Sequence, residues 1–265
     1  IIATSEFYNS FFVFINNGNG VFEYPYMISA GTHPTAIAIG FIDNDEFLDI
    51  AVANWDIDYP YLRIFKNNGN GIFTQSNYYT VGSRPLCIFI GDIDNDGSND
   101  IGVGIDYSNP RVEFLKNNGL GIFSYSISVN TLDRPYGISG SDFNNDGFID
   151  LIVTNKYSNS LSYLKNFNGT AFVNYLIPTI GNYPYGIYLN DFNKDGKTDI
   201  ATAFLNTSSI DINLNTNSTP PFNTISYSNF FGVSTNLAGA DYDSDGDIDL
   251  AVINHNSNSV SIYKN

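Results

Sequence analysis

Five versions of one acidic pattern recur along this chain at intervals of about fifty residues. They read Phe41-Ile-Asp43-Asn-Asp45-Glu46-Phe47-Leu-Asp49, Asp92-Ile-Asp94-Asn-Asp96-Gly97-Ser98-Asn-Asp100, Asp142-Phe-Asn144-Asn-Asp146-Gly147-Phe148-Ile-Asp150, Asp191-Phe-Asn193-Lys-Asp195-Gly196-Lys197-Thr-Asp199 and Asp241-Tyr-Asp243-Ser-Asp245-Gly246-Asp247-Ile-Asp249. Carboxylates this dense repel one another unless a cation sits among them. Oxygen ligands at alternate positions, a Gly for the sharp turn and no Cys or His nearby match a hard cation such as Ca²⁺. Four loops carry the full ligand set and the first is doubtful.

Position by position, side-chain oxygens at 1, 3 and 5 converge, Gly at 6 permits the turn, the carbonyl at 7 faces inward and Asp at 9 closes the shell. The expected ligands are therefore Asp92, Asp94, Asp96, Ser98 and Asp100; Asp142, Asn144, Asp146, Phe148 and Asp150; Asp191, Asn193, Asp195, Lys197 and Asp199; and Asp241, Asp243, Asp245, Asp247 and Asp249. In the first loop Phe41 replaces an acid and Glu46 replaces the Gly, so Asp43, Asp45 and Asp49 form a weak or absent site. The pattern resembles the first half of an EF-hand loop but closes at position 9, and no amphipathic helix flanks it. A short β-branched run such as Asp49-Ile-Ala-Val-Ala follows instead, which predicts a buried strand.

The rest of each repeat is as regular. Ahead of the loop stands a Pro-initiated apolar segment, at Pro34, Pro85, Pro135 and Pro184, where Pro begins a strand without breaking a ladder. After the buried strand come a polar loop, an alternating segment and the hairpin signal Asn-Asn-Gly-x-Gly at 16–20, 67–71 and 117–121, blurred at 166–169. A Phe then opens a fourth strand, at Phe22, Phe73, Phe123, Phe172 and Phe222. Four antiparallel strands per repeat with no helical periodicity predict an all-β fold, a β-propeller of four-stranded blades.

Over its whole length the chain resembles the FG-GAP and VCBS repeat family, the repeats of integrin-alpha-like calcium-binding propellers. The motif D-x-[DN]-x-D-G-x-x-D-[IL] carries the resemblance. It implies that the acidic loop joins the first two strands of a blade and binds Ca²⁺ there, at the four intact loops.

Ile1-Ile-Ala-Thr-Ser aligns with Leu151-Ile-Val-Thr-Asn, and Tyr263-Lys-Asn265 with Leu164-Lys-Asn166. Six blades are thus touched: a partial blade over 1–31, blades over 32–82, 83–132, 133–181 and 182–230, and a partial blade over 231–265. Two expectations follow from the incomplete outer blades. Either the chain is a segment of a longer one, or the missing strands come from a neighbour, in which case the propeller self-assembles through its unpaired edges.

The formal charge of −16 and a pI near 4.1 argue against nucleic acid and anionic membrane as partners. Most of that charge lies in the acidic loops, and four bound Ca²⁺ would cancel about half of it. Few Lys and Arg with abundant Asn, Ser and Tyr fit an extracellular or cell-surface setting. Cys87 has no partner for an internal disulfide and reads as a buried thiol. No apolar run is long enough to insert in a membrane. Sequons start at Asn168, Asn206 and Asn217.

Catalysis finds little support. His33 and His255 lie in distant repeats without a paired nucleophile, and carboxylates committed to metal are poor proton carriers. The chain therefore reads as a non-enzyme, with a polysaccharide-active enzyme the least favoured function. In a propeller the acidic loops and Asn-Gly hairpins share one face. The opposite face collects aromatics and scarce cations: Trp55, Asp56, Asp58, Tyr59, Tyr61, Tyr107, Arg111, Lys156 and Tyr157 from within-blade loops, and His33, Arg84, Arg134, Tyr136, Tyr183 and Tyr185 from blade connections. Among these, Trp55, Tyr61, Arg84, Arg134, Tyr136 and Tyr185 are the candidate ligand-binding residues, because rigid rings beside polar groups suit sugars or protein loops. The expected function is adhesion or recognition of a glycan or extracellular protein. The alternative is a structural subunit of a surface filament or repeat stalk.

Overall fold

The computed structural model describes residues 1–55, 60–216, 221–228 and 232–265. Asp56, Asp58, Tyr59 and the Asn217 sequon of the sequence reading lie outside the described residues. The fold is an all-β propeller of six antiparallel sheets in chain order. Three strands form the first, Ile2–Ser5 (β1), Ser10–Val13 (β2) and Tyr26–Ser29 (β3). Four form the second, Pro34–Gly40 (β4), Asp49–Asn54 (β5), Tyr61–Asn67 (β6) and Phe73–Thr80 (β7), and four the third, Pro85–Gly91 (β8), Asp100–Ile105 (β9), Arg111–Asn117 (β10) and Phe123–Asn130 (β11). The fourth holds Pro135–Ser141 (β12), Asp150–Asn155 (β13), Ser160–Phe167 (β14) and Ala171–Pro178 (β15). The fifth holds Pro184–Asn190 (β16), Asp199–Phe204 (β17), Ser209–Asn215 (β18) and Phe222–Ser228 (β19). Ser234–Ala240 (β20), Asp249–Asn254 (β21) and Ser259–Tyr263 (β22) make the last. Among the described residues the one helical element is a single 3-10 turn, Lys156–Ser158.

Two compact units, Ile1–Ser128 and Val129–Asn265, divide the chain within β11. In each, the apolar runs that follow the first four acidic loops become strands buried on both faces, whereas β21, after the fifth, leaves Ile253 exposed. Every residue of β5, β9, β13 and β17 is buried. A strand with both faces covered has no solvent side to alternate with, which is why these segments read as continuous β-branched runs. In the first unit Ile50, Val52 and Phe65 pack with Phe11 and Val13, while Ala51, Leu62 and Ile64 pack with Ile101 and Val103. In the second, Ile152, Leu161 and Tyr163 pack with Ile200, and Ala201 and Ile210 with Leu250 and Val252. Each such side chain contributes about 1.5–3 kcal/mol of hydrophobic stabilisation, so no sheet could keep this surface wet. The fourth strands β7 and β11 alternate and lie largely in solvent.

The prolines do open the first strands, but the register shifts immediately after them, between Pro34 and Ala36, Pro85 and Cys87, Pro135 and Ile138, and Pro184 and Ile187. The preceding residues His33, Arg84, Arg134 and Tyr183 take left-handed backbone angles, with φ of 44°, 60°, 59° and 57°. Bulky residues rarely stand there, least of all before Pro. Hydrogen bonds over-determine the strain: their carbonyls accept the N–H of Trp55, Asp106, Lys156 and Leu205 at 2.8, 3.1, 3.0 and 2.9 Å. This repeated device aims four side chains from the start of four blades, and nothing in local sequence preference announces it.

Candidate metal centre and ligand face

Each acidic loop connects the first two strands of its sheet, and the four intact copies are built on the same bonds. In the four intact copies the position-1 carboxylate accepts two backbone N–H groups: Asp92 from Asp96 and Gly97 (3.1 and 2.9 Å), Asp142 from Asp146 and Gly147 (3.1 and 2.8 Å), Asp191 from Asp195 and Gly196 (3.1 and 2.8 Å), and Asp241 from Asp245 and Gly246 (3.2 and 3.0 Å). The position-5 carboxylates of Asp96, Asp146, Asp195 and Asp245 accept the N–H of Ser98, Phe148, Lys197 and Asp247. The position-1 bonds accompany a left-handed turn at the loop glycine, where φ is 88° at Gly97, 90° at Gly147, 82° at Gly196 and 89° at Gly246. In the first loop neither Asn44 nor Glu46 has a positive φ, because a Cβ at position 46 penalises that turn.

The position-9 aspartates are buried where the second strands begin. One oxygen of each accepts the N–H of an Asn at or near the end of the third strand: Asp49 from Asn67 at 2.8 Å, Asp100 from Asn117 at 2.8 Å, Asp150 from Asn166 at 2.7 Å, Asp199 from Asn215 at 2.7 Å and Asp249 from Asn265 at 2.9 Å. The hairpin and the acidic loop are thereby held at one end of the sheet. The second oxygen is also engaged in several copies, with Tyr163 Oη and Asn144 Nδ2 each donating to Asp150 at 2.8 Å. Position 9 is thus a structural tie as well as a candidate ligand.

The donor set fits a cation on three grounds. Asp92, Asp94 and Asp100 bring a carboxylate oxygen each to within 4.8 Å of one another, and so do Asp241, Asp243 and Asp249. Asp94 Oδ1 is shut from solvent without a hydrogen-bond partner. Burial, with the neighbouring carboxylates adding repulsion, pushes the Asp100 and Asp150 carboxyls up to about 6 and also raises Asp199 and Asp49. In the third and fourth loops Asn144 and Asn193 replace one acid, so their negative charge is lower.

Sequence reading missed the lysines that serve these loops. Lys116, just before the hairpin Asn, reaches Asp94 and stands 3.2 Å from Asp96; the equivalent Lys66 lies 2.7 Å from Asp43, and Lys264 lies 3.0 Å from Asp243. Lys194, in the fourth loop, pairs with Asp247 of the fifth. The signal was visible as Lys-Asn at or near the end of four third strands, at Lys66, Lys116, Lys165 and Lys264, but an alternating strand offers no hint that its last side chain bends back to the loop, and Lys165 lies over Phe167 instead. Despite partial burial, Lys66 and the Asp45 amide hold the Asp43 carboxyl below its usual range.

The six candidate ligand residues separate into groups. In the first unit Arg84 lies over the Trp55 ring at 4.5 Å and 3.5 Å from Asp106; with Ser83 and Tyr107 they line a cleft of about 250 Å³. Tyr61 is not part of it, and instead packs edge-on to Tyr78 at 5.1 Å with Arg63 at 5.6 Å. In the second unit Arg134, Tyr136 and Tyr185 come together around Lys156 and Tyr157.

A family model described as FG-GAP-like repeat matches three times, at 42–103, 92–153 and 142–202, each match running from one acidic loop to beyond the next. The chain belongs to the FG-GAP-like repeat family. The fifth loop, outside the matches, has the same hydrogen bonds. A crystal structure of BBS1N in complex with ARL6DN, soaked with lead, is similar at a TM-score of 0.67 and 13% identity, over 99% of this chain and 74% of that one. A crystal structure of a protein from Lactobacillus plantarum is similar at 0.57 and 11%, over 90% and 74%. At these identities the likeness is one of fold. No curated protein sequence matches the chain. Among the described residues no helix is long and apolar enough to cross a membrane. The FG-GAP-like propeller fold supports a recognition or protein-interaction module.

Proposed function

We propose that the chain is an extracellular, calcium-stabilised recognition module whose aromatic face binds a glycan or protein. The observation that carries the calcium part is the convergence of carboxylate oxygens from Asp92, Asp94 and Asp100, and from Asp241, Asp243 and Asp249, with Asp94 Oδ1 buried and unpartnered in the first trio. These residues, joined by Asp96 and Asp245, would hold Ca²⁺, with Asp142, Asn144, Asp146 and Asp150, and Asp191, Asn193, Asp195 and Asp199, in the weaker-charged copies. The bound ion would supply charge neutralisation and cross-linking of the first and second strands, with no role in bond-making.

Recognition is supported by two clusters that pair cations with aromatic rings, one at Trp55, Arg84 and Tyr107, the other at Arg134, Lys156 and the tyrosines. The similar BBS1N structure is itself a complex with a protein. The deciding experiment is a broad glycan and surface-protein array probed in excess calcium. Saturable binding lost on Trp55→Ala or Tyr136→Ala is expected; silence across such arrays would remove the recognition reading.

A further inference from the structure

In a chain of net charge −16, cations are scarce and most are spoken for. Lys66, Arg84, Arg111 and Lys116 all sit beside a carboxylate. Arg134 and Lys156 do not: among the described residues neither has an acidic group at salt-bridge distance, although Asp133 adjoins Arg134 in sequence. They nevertheless stand together. The Lys156 N–H donates to the Arg134 carbonyl at 3.0 Å, and the Arg134 guanidinium at 5.0 Å and the Lys156 ammonium at 5.8 Å share the Tyr157 ring.

The surroundings are as deliberate as the pair. Lys156 Nζ is 5.1 Å from both the Tyr136 and Tyr185 rings, which lie 4.0 Å apart and join through their hydroxyls at 2.5 Å. Arg134 Nη1 donates to Tyr157 Oη at 2.7 Å. Two like charges brought together without a counter-ion cost free energy, and burial, reinforced by Arg134, lowers the Lys156 pKa. Ring quadrupoles offset that cost only in part.

We propose that Arg134 and Lys156, ringed by Tyr136, Tyr157 and Tyr185, recognise the carboxylate or sulfate of an acidic sugar. The inference rests on the recognition reading and narrows its ligand. A guanidinium and an ammonium satisfy a resonance-stabilised anion through charge-assisted bonds. Tyrosine faces and rims suit the ring that carries it, since they offer apolar area at small entropic loss and hydroxyls for its polar edge. An extended acidic peptide would match the charges but leave the ring faces unused.

The test titrates the calcium-loaded chain, by calorimetry, with an oligouronate, a sulfated oligosaccharide and a neutral oligosaccharide of equal length, with inorganic sulfate as competitor. At least one acidic sugar is expected to bind about tenfold or more tighter than the neutral one, weaken with salt and be displaced by sulfate. Arg134→Gln with Lys156→Gln is expected to abolish that preference without lowering the melting temperature, and Lys156→Arg to retain it. If the double variant fails to fold, Lys156→Gln alone, on a surface turn, serves. Equal affinity for neutral and acidic sugars would overturn the inference while leaving recognition intact, and so would a preference that survives charge removal. A polyglutamate peptide binding more tightly than either acidic sugar would overturn the choice of sugar. No binding of any saccharide would overturn the inference and, with it, glycan recognition.

Discussion

Asn117 Nδ2 donates to the carbonyl of Ile42, 75 residues earlier, at 2.7 Å, and to that of Asn99 at 2.9 Å. One amide thus ties the acidic loop of its own sheet to the acidic loop of the sheet before. Asn215 repeats the device with Phe143 at 2.8 Å and Thr198 at 3.3 Å, and Asn265 reaches Phe192 at 2.7 Å. The loops are therefore mechanically joined within each unit, and what orders one constrains the next.

Asn117→Ala is expected to destabilise the protein by about 2–4 kcal/mol, since it orphans two carbonyls and removes the acceptor of the Gly119 and Gly121 N–H groups. Asn67→Ala, whose amide donates to Leu48 at 3.2 Å in a more exposed setting and accepts one glycine N–H, from Gly69 at 3.1 Å, is expected to cost less than half of that. Denaturant midpoints at constant slope measure both. Equal losses would contradict the bridging role.

Chelation is expected to lower the melting temperature substantially, because each site filled at a hundredfold excess over Kd contributes ~2.7 kcal/mol. Asp96→Ala and Asp245→Ala are expected to remove more of the calcium-dependent rise than Asp45→Ala, whose loop lacks the left-handed turn. Scanning calorimetry with and without chelator tests this, and superimposable traces would refute a structural role for the ion.

Lys116→Met is expected to act with opposite signs in the two states. Without calcium it leaves Asp94 and Asp96 repelling and lowers stability; with calcium it removes a competing ammonium and raises affinity roughly fivefold, the worth of an exposed ion pair. Calcium titration calorimetry reads the second effect. An unchanged or weakened affinity would show that the lysine supports the loop instead of competing for it.

Acidity offers a check that needs no mutation. The folded carboxyls of Asp100 and Asp150 stand at about 6, above their unfolded values. The folded chain therefore holds more protons between about pH 4 and 6, and stability falls as pH rises through that window. Asp43, Asp96, Asp195 and Asp243 shift the other way, so their contribution is lost only as pH drops below about 4. In chelator, the melting temperature is expected to rise on going from pH 7.5 to 5.5. In excess calcium it is expected to stay level or fall, as protons displace the ion. A chelated protein that weakens on acidification would contradict the shifts.

Much of the architecture was legible from local pattern. The runs after the acidic loops read as strands covered on both sides, and β5, β9, β13 and β17 are, while β21 keeps Ile253 exposed. The departure of the first loop was equally legible, since Glu46 in place of Gly forbids the turn on the properties of one residue. Less legible were the left-handed angles at His33, Arg84, Arg134 and Tyr183. A residue before Pro ordinarily avoids that region, and the carbonyl-to-amide bonds that hold it there come from residues about twenty positions away. Tyr61 shows the limit of reasoning by face: it opens β6 instead of lying in the loop after Trp55, and it packs on Tyr78, because register on β6 and β7 sets its neighbour.

By itself, then, the sequence determined the repeat, the strand order within a sheet and the loops able to gather carboxylates, because each depends on residues within a few positions of one another. Only the tertiary structure decided that Asn117 would clamp a loop one repeat away, that Lys116 would enter the acidic cluster, and that Arg134 and Lys156 would stand together with no acidic group at salt-bridge distance among the described residues. Those meetings are set by how sheets pack and where strands end, and no local preference encodes the distance between side chains that the chain itself keeps far apart.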